Sequence, residues 1–180
     1  VSGDEGASIR MNNDDGKNYY QGILTVDASG VTAGNVVLVG PGKGRGDKDV
    51  MGAVLIGGYG SQNDYWGGSK GCDVFGGRDG ITDVVWFGAG DGEDVFSSAG
   101  KEDKVYLYNT ASIADLKVMG ATLNGSEVLG ISVVDGDQLG IHSTSGKISG
   151  SDGITVGLKD GSSYYVNQAS DGTYSFVKKA

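Results

Sequence analysis

Five times in succession between residues 57 and 107, an aspartate is followed two positions later by a large apolar residue. The instances are Asp64-Tyr65-Trp66, Asp73-Val74-Phe75, Asp83-Val84-Val85, Asp94-Val95-Phe96 and Asp103-Lys104-Val105, with the aspartates 9, 10, 11 and 9 residues apart. Glycine pairs precede the first three, at Gly57-Gly58, Gly67-Gly68 and Gly76-Gly77. A short apolar piece with one inward side chain is a strand. A glycine-rich piece before it is a tight turn that needs positive φ or close backbone approach. Strand plus turn at this period is half of one coil of a ribbon whose successive halves lie on opposite sheets. The spacing predicts Asp64, Asp83 and Asp103 stacked on one side and Asp73 and Asp94 on the other.

The period then acquires a specific likeness. Ala89-Gly90-Asp91-Gly92-Glu93-Asp94-Val95-Phe96-Ser97 fits the nonapeptide G-G-x-G-x-D-x-U-x, with U a large apolar residue, at every position but the first. Residues 48–108 thereby resemble the hemolysin-type calcium-binding (RTX) repeats in a degenerate form. The resemblance implies a parallel β-roll, calcium held between stacked turns, and carboxylate ligands among Asp64, Asp73, Asp83, Asp91, Asp94 and Asp103. The departures lie in the turns. The family aspartate follows the first glycine of the pair by about five residues, whereas here it comes seven on from Gly57, six from Gly67 and seven from Gly76. Lys70 also stands where the third glycine belongs in the repeat that starts at Gly67.

Repulsion makes the same point without the family. Carboxylates on strands about 4.8 Å apart repel by roughly 3 kcal/mol at an effective dielectric near 20. A domain has only about 5–15 kcal/mol of net stability. A column of aspartates therefore needs a cation, a basic partner or room to splay into water. Calcium suits it as a hard, oxygen-seeking ion, expected near Asp94 or Asp73. Lys70, Arg78, Lys101 and Lys104 are the alternative, as side chains that have replaced the metal.

The charge of −9 argues against a nucleic-acid partner and against an anionic membrane surface. No apolar run is long enough to insert into a membrane. Thirty-five glycines without a Gly-X-Y period exclude collagen. Cys72 is the only cysteine and His142 the only histidine, so neither an internal disulfide nor a Cys-based zinc site is available. Beginning at Val1 without an apolar leader, the chain is expected to be a piece of a longer exported protein.

The flanks read as all-β too. Tyr19-Tyr20, Ile23-Leu24-Thr25-Val26 and Val36-Val37-Leu38-Val39 are predicted strands, with turns at 27–30 and 40–42 and a basic loop at 42–46. They form the expected N-terminal cap of irregular coils, residues 1–47. In residues 109–180, a short helix is expected at 112–116. Six apolar runs follow from Val128 on, with hairpin turns at Asp160-Gly161 and Asp171-Gly172. This is the expected C-terminal antiparallel cap, packed on the end of the roll.

Other motifs fall away. Asn12-Asn13-Asp14-Asp15-Gly16 fails the EF-hand pattern, since Met11 and Gly22 occupy its first and last ligand positions. No P-loop or dinucleotide fingerprint is present. No nucleophile–base pair stands out beside the lone His142, so no enzyme is expected. Among the aromatics, Trp66, Phe75 and Phe96 are read as inward, and Tyr65 and Trp86 as outward, where a row of rings could stack on sugars.

The expected function is that of a non-catalytic, calcium-binding structural or adhesive module of a secreted or cell-surface protein. Its partners are calcium and a surface glycan or another surface protein. A carbohydrate-binding module is one alternative. The non-catalytic tail of a secreted hydrolytic or polysaccharide-acting enzyme is another.

Overall fold

The structure, a computed structural model, describes residues 1–10, 24–40, 52–67, 70–134, 136–144 and 146–180. The polar turn at 12–16, the Tyr19-Tyr20 pair, Ile23, the loop at 42–46 and Gly68 lie outside the described residues.

The described residues are all-β, with parallel and antiparallel pairing mixed in their sheets and no barrel among them. In chain order the strands are β1 (Ser2–Gly3), β2 (Ala7–Arg10), β3 (Leu24–Asp27), β4 (Gly30–Val31), β5 (Asn35–Val39), β6 (Ala53–Ile56), β7 (Gln62–Trp66), β8 (Val74–Gly76) and β9 (Thr82–Phe87). They continue with β10 (Glu93–Ala99), β11 (Lys104–Leu107), β12 (Lys117–Leu123), β13 (Ser126–Ser132), β14 (Gln138–Ser143), β15 (Thr155–Leu158), β16 (Ser163–Gln168) and β17 (Tyr174–Lys178). One sheet has the order β17-β16-β15-β11-β9-β7-β5-β2 and the other β12-β13-β14-β10-β8-β6-β3, with β1 and β4 paired apart.

From β5 to β11 each strand lies in the opposite sheet from the one before it, and neighbours within each sheet are parallel. Each circuit of two strands and two turns therefore advances both sheets by one strand. Burial alternates along each piece, as in β7, where Asn63 and Tyr65 are buried while Gln62, Asp64 and Trp66 are half-exposed. Register turns this alternation into inward rows. Leu55, Phe75, Phe96, Ile141 and Leu129 run along one sheet. Leu38, Tyr65, Val85, Val105 and Val156 run along the other. The rows meet between the sheets, with the Tyr65 ring 5.8 Å from Phe75 and 6.4 Å from Phe96. A single apolar cluster extends from Ala28 to Val166.

The antiparallel strands after residue 109 do not form a sheet of their own across the end of the parallel strands. The β12-β13-β14 meander joins the second sheet by laying β14 parallel to β10, and β15-β16-β17 joins the first by laying β15 parallel to β11. The cause is the apolar rows, which continue through Ile141 and Leu129 on one side and Val156 on the other and so bury both hairpin units edge-on. At Asp160-Gly161 and Asp171-Gly172 the glycines take φ of 84° and 87°, and each aspartate accepts the amide two residues on. The helix expected at 112–116 is one 3-10 turn, Ile113–Asp115, whose N-cap Ser112 accepts from the Ala114 amide at 3.2 Å.

Candidate functional site

The acid-bearing positions fall into two files, one at the mouth of each sheet. Pairing of β9 with β11 sets Asp83 beside Asp103, and pairing of β8 with β10 sets Asp73 beside Asp94. All four are at most 3% exposed. Asp64 is not in the first file. Its β7 neighbour Asn63 is, hydrogen-bonded through Nδ2 to Asp83 Oδ1 at 2.7 Å. Asp64 points outward and accepts from Gln62 Nε2 at 3.0 Å and Trp86 Nε1 at 3.3 Å. The turn accounts for this shift: Gly58 donates to Asn63 Oδ1 five residues on, as Arg78 donates to Asp83 Oδ2. Counted from these amides, Asn63 holds the position that Asp83 holds one strand on, and Asp64 is one residue late. The same shift exchanges two aromatics. Tyr65 is wholly buried, and Trp66 faces outward.

The two files differ in how their oxygens are satisfied. In the Asn63–Asp83–Asp103 file every carboxylate oxygen has a donor. Asp103 Oδ1 accepts from Asp83 N at 2.8 Å and Oδ2 from Gly100 N at 2.6 Å. Asp83 Oδ2 accepts from Arg78 N at 2.6 Å. In the Asp73–Asp94 file only Oδ1 is served, by Ala53 N at 2.6 Å for Asp73 and by Asp73 N at 2.9 Å for Asp94. Among the described residues, Asp73 Oδ2 and Asp94 Oδ2 are buried with no hydrogen-bond partner. Both face one point: a Cβ built on Gly67 would stand 2.5 Å from Asp73 Oδ2 and 3.1 Å from Asp94 Oδ2. Glycine leaves that space open.

Charge accumulates there. Burial pushes Asp94 up to about 8, against the Asp73 amide bond that lowers it, and Asp73, Asp91 and Asp137 push it further. Burial raises Asp73 to about 6, with Asp91 adding to the rise. Asp91 is buried too and accepts from the Tyr108 hydroxyl at 2.8 Å, while Asp137 takes the Gly90 amide at 2.5 Å. Two of the basic side chains near the turns are engaged away from Asp73 and Asp94. Lys101 pairs with Asp152 at 2.9 Å, and the Arg78 guanidinium sits 4.7 Å over the Tyr59 ring.

Among the described residues no three His, Cys, Asp or Glu side chains converge tightly enough to hold a metal by themselves. A cation at Gly67 would therefore draw on two carboxylates and on turn carbonyls, a donor set that suits a hard ion. Lys70 O and Gly71 O lie against the next turn, 2.6 and 3.0 Å from where a Cβ on Gly92 would stand.

Tyr65 cannot stack on a sugar: it is sealed in the core and its hydroxyl donates to Gly76 O at 2.8 Å. Trp86 does face outward, but one face is covered by Trp66, stacked at 4.3 Å and 7°. Cys72 and His142 are exposed, His142 on β14 beside Ser97.

Three residues of consequence escaped the motif reading. Asn63 carries no charge to mark it, Asp137 enters from a distant strand connection, and Glu127 has no periodic companion. Glu127, 3% exposed, accepts from Ile148 N and Ser149 N at 2.7 Å, Ser149 Oγ at 2.8 Å and Tyr174 Oη at 3.2 Å. Comparison with known proteins returns no matching family model, no matching curated protein and no matching solved structure.

Proposed function

We propose that this chain is a non-catalytic structural module of a secreted or cell-surface protein, built as a parallel β-roll, with calcium held between Asp73 and Asp94. One observation carries the reading. Two buried carboxylate oxygens that have no donor among the described residues face the same glycine, and burying charge without a partner is costly enough that such groups are normally paired, metal-bound or neutralised. The alternation of parallel strands between two sheets supports the roll. The ion would supply charge neutralisation and a tie between successive coils, because its two carboxylates come from neighbouring strands of one sheet. The Asn63–Asp83–Asp103 file is already satisfied by amides and needs no ion, so Asp83 and Asp103 are not among the proposed ligands.

Calorimetric titration of chelator-treated protein with calcium tests this. The expected result is saturable binding and a rise in Tm of several degrees, because a ligand at about a hundred times its Kd adds about 2.7 kcal/mol. Asp94→Asn is expected to abolish the calcium response and to raise the Tm of the calcium-free protein at neutral pH, since it removes an acid that burial forces to take up a proton on folding. A purely structural Asp94 predicts the opposite sign for that second effect. Absence of heat and of any Tm shift at millimolar calcium would overturn the calcium site.

A further inference from the structure

The outer face of the first sheet carries a row of rings set by strand register. Trp66 pairs with Trp86, Trp86 with Tyr106, Tyr106 with Gly157, and Gly157 with Ser163. The row changes character at Tyr106. Trp66 and Trp86 stand face to face, but the Tyr106 ring is turned 68° to Trp86, with centroids 4.4 Å apart. It reaches over the next strand, where a Cβ on Gly157 would stand 3.1 Å from its Cδ2. A side chain there would prop the ring up; glycine lets it lean across the sheet. The result is a corner with Trp86 as wall and Tyr106 as floor.

This corner lines an open groove of about 290 Å³ that crosses β7, β9, β11 and β15. Four strands at about 4.8 Å spacing span roughly 14 Å, which suits an extended ligand. The groove's polar groups include the Asp64 carboxylate, the Lys104 ammonium and hydroxyls at Thr155, Ser162 and Ser163. Lys179 Nζ donates to Thr155 Oγ1 at 2.7 Å and Ser162 Oγ donates to Asp160 Oδ1 at 2.5 Å, so the groove and its rim carry Asp64 and Asp160 against Lys104 and Lys179 and select for neither a polyanion nor a polycation.

The geometry points to this groove as a binding site for a neutral oligosaccharide, with Tyr106 as the stacking platform and Asp64, Lys104 and the β15–β16 hydroxyls as hydrogen-bonding partners. The apolar face of a sugar ring packs on an exposed aromatic face while its rim hydroxyls need donors and acceptors at the side. This inference is independent of calcium, and the file of Asp73 and Asp94 lies on the other sheet.

The test is a titration of the full chain with neutral hexasaccharides of β-1,4-linked glucose, mannose and xylose and of α-1,4-linked glucose, read by NMR at the Trp86 indole N–H. At least one is expected to shift that signal saturably. Tyr106→Ala is expected to weaken its binding by about tenfold or more. Gly157→Ala, which pushes on the Tyr106 ring and leaves every polar group in place, is expected to weaken it similarly, with an unchanged circular dichroism spectrum. Leu123→Ala, at an exposed position on the other sheet, is expected to leave it unchanged. The assignment is overturned if no hexasaccharide moves the Trp86 signal at millimolar concentration. It is equally overturned if binding survives both substitutions, or if only polygalacturonate or a proline-rich peptide binds.

Discussion

Glu127→Ala is expected to cost about 3–5 kcal/mol and to unravel the C-terminal hairpins before the rest of the chain. Glu127 sits at the start of β13, and its carboxylate gathers the Ile148 and Ser149 amides, the Ser149 hydroxyl and the Tyr174 hydroxyl. Those donors come from the segment between β14 and β15 and from β17, so one carboxylate ties together segments that belong to both sheets. Truncation leaves buried N–H and O–H groups facing a void, and each unsatisfied donor costs about 1–3 kcal/mol. Tyr174 would loosen with it, removing the ring that lies over Gly120, where a Cβ would stand 2.6 Å from its Cζ. Glu127→Gln keeps an acceptor oxygen for the two amides and is expected to cost well under half as much. Urea unfolding followed separately by hydrogen exchange of residues 126–168 measures both effects. Equal small losses for Ala and Gln would show that the carboxylate is not what holds this end.

The contrast between Glu127 and the aspartate files shows what the amino-acid order makes legible. Asp73, Asp83, Asp94 and Asp103 announce themselves because a strand-and-turn unit repeats, so each has a counterpart on the neighbouring strand of its sheet: Asp83 N reaches Asp103 across 20 residues and Asp73 N reaches Asp94 across 21. The alternation of sheets and the buried rows through Phe75 and Phe96 follow from the same repeat. Phase is less legible. A strand read one residue out reverses its faces, and at β7 the position requires an acceptor oxygen rather than a charge. Asn63 satisfies it while the neighbouring Asp64 attracts attention. Glu127 and the Tyr106–Gly157 pair leave no trace in composition or period. Each depends on which strand lies beside which, and that is settled by the continuation of apolar rows across the hairpin units. The Asn124-Gly125 turn between β12 and β13 was legible in principle. Both residues take positive φ, 52° and 84°, the pattern that favours Asn-Gly in two-residue hairpins.

In calcium-free buffer the protein is expected to become less stable as pH rises from 5 to 9, the reverse of the usual acid sensitivity. The groups responsible are acids whose burial holds the proton on in the folded state. Burial raises Asp103 to about 8, overcoming its bonds from Gly100 and Asp83, with Asp83 and Glu102 as the facing negative charges. Burial raises Asp83 to about 6, against bonds from Arg78, Asn63 and Tyr65 and with Glu102 adding to the rise. An unfolded aspartate titrates near 3.9. Between that value and the folded one the native state binds more protons than the unfolded state, so unfolding becomes easier with each unit of pH. The stability conferred is fully present below about pH 4 and is gone once pH exceeds about 8. Each such group contributes at most about 1.4 kcal/mol per pH unit inside its own window. Asp94, also raised to about 8, acts in the same direction. Urea midpoints at half-unit pH steps in chelator measure the slope. Asp103→Asn is expected to flatten it while lowering stability at pH 5, because the carboxamide cannot accept from both the Gly100 and Asp83 amides through its two terminal atoms. Saturating calcium is expected to remove the share due to Asp73 and Asp94, since the ion takes the place of the proton, and to leave the share due to Asp83 and Asp103, whose oxygens are occupied by amides. A midpoint that climbs with pH in chelator would mean that the amide bonds outweigh burial and that both files are ionised at neutral pH without help from a metal.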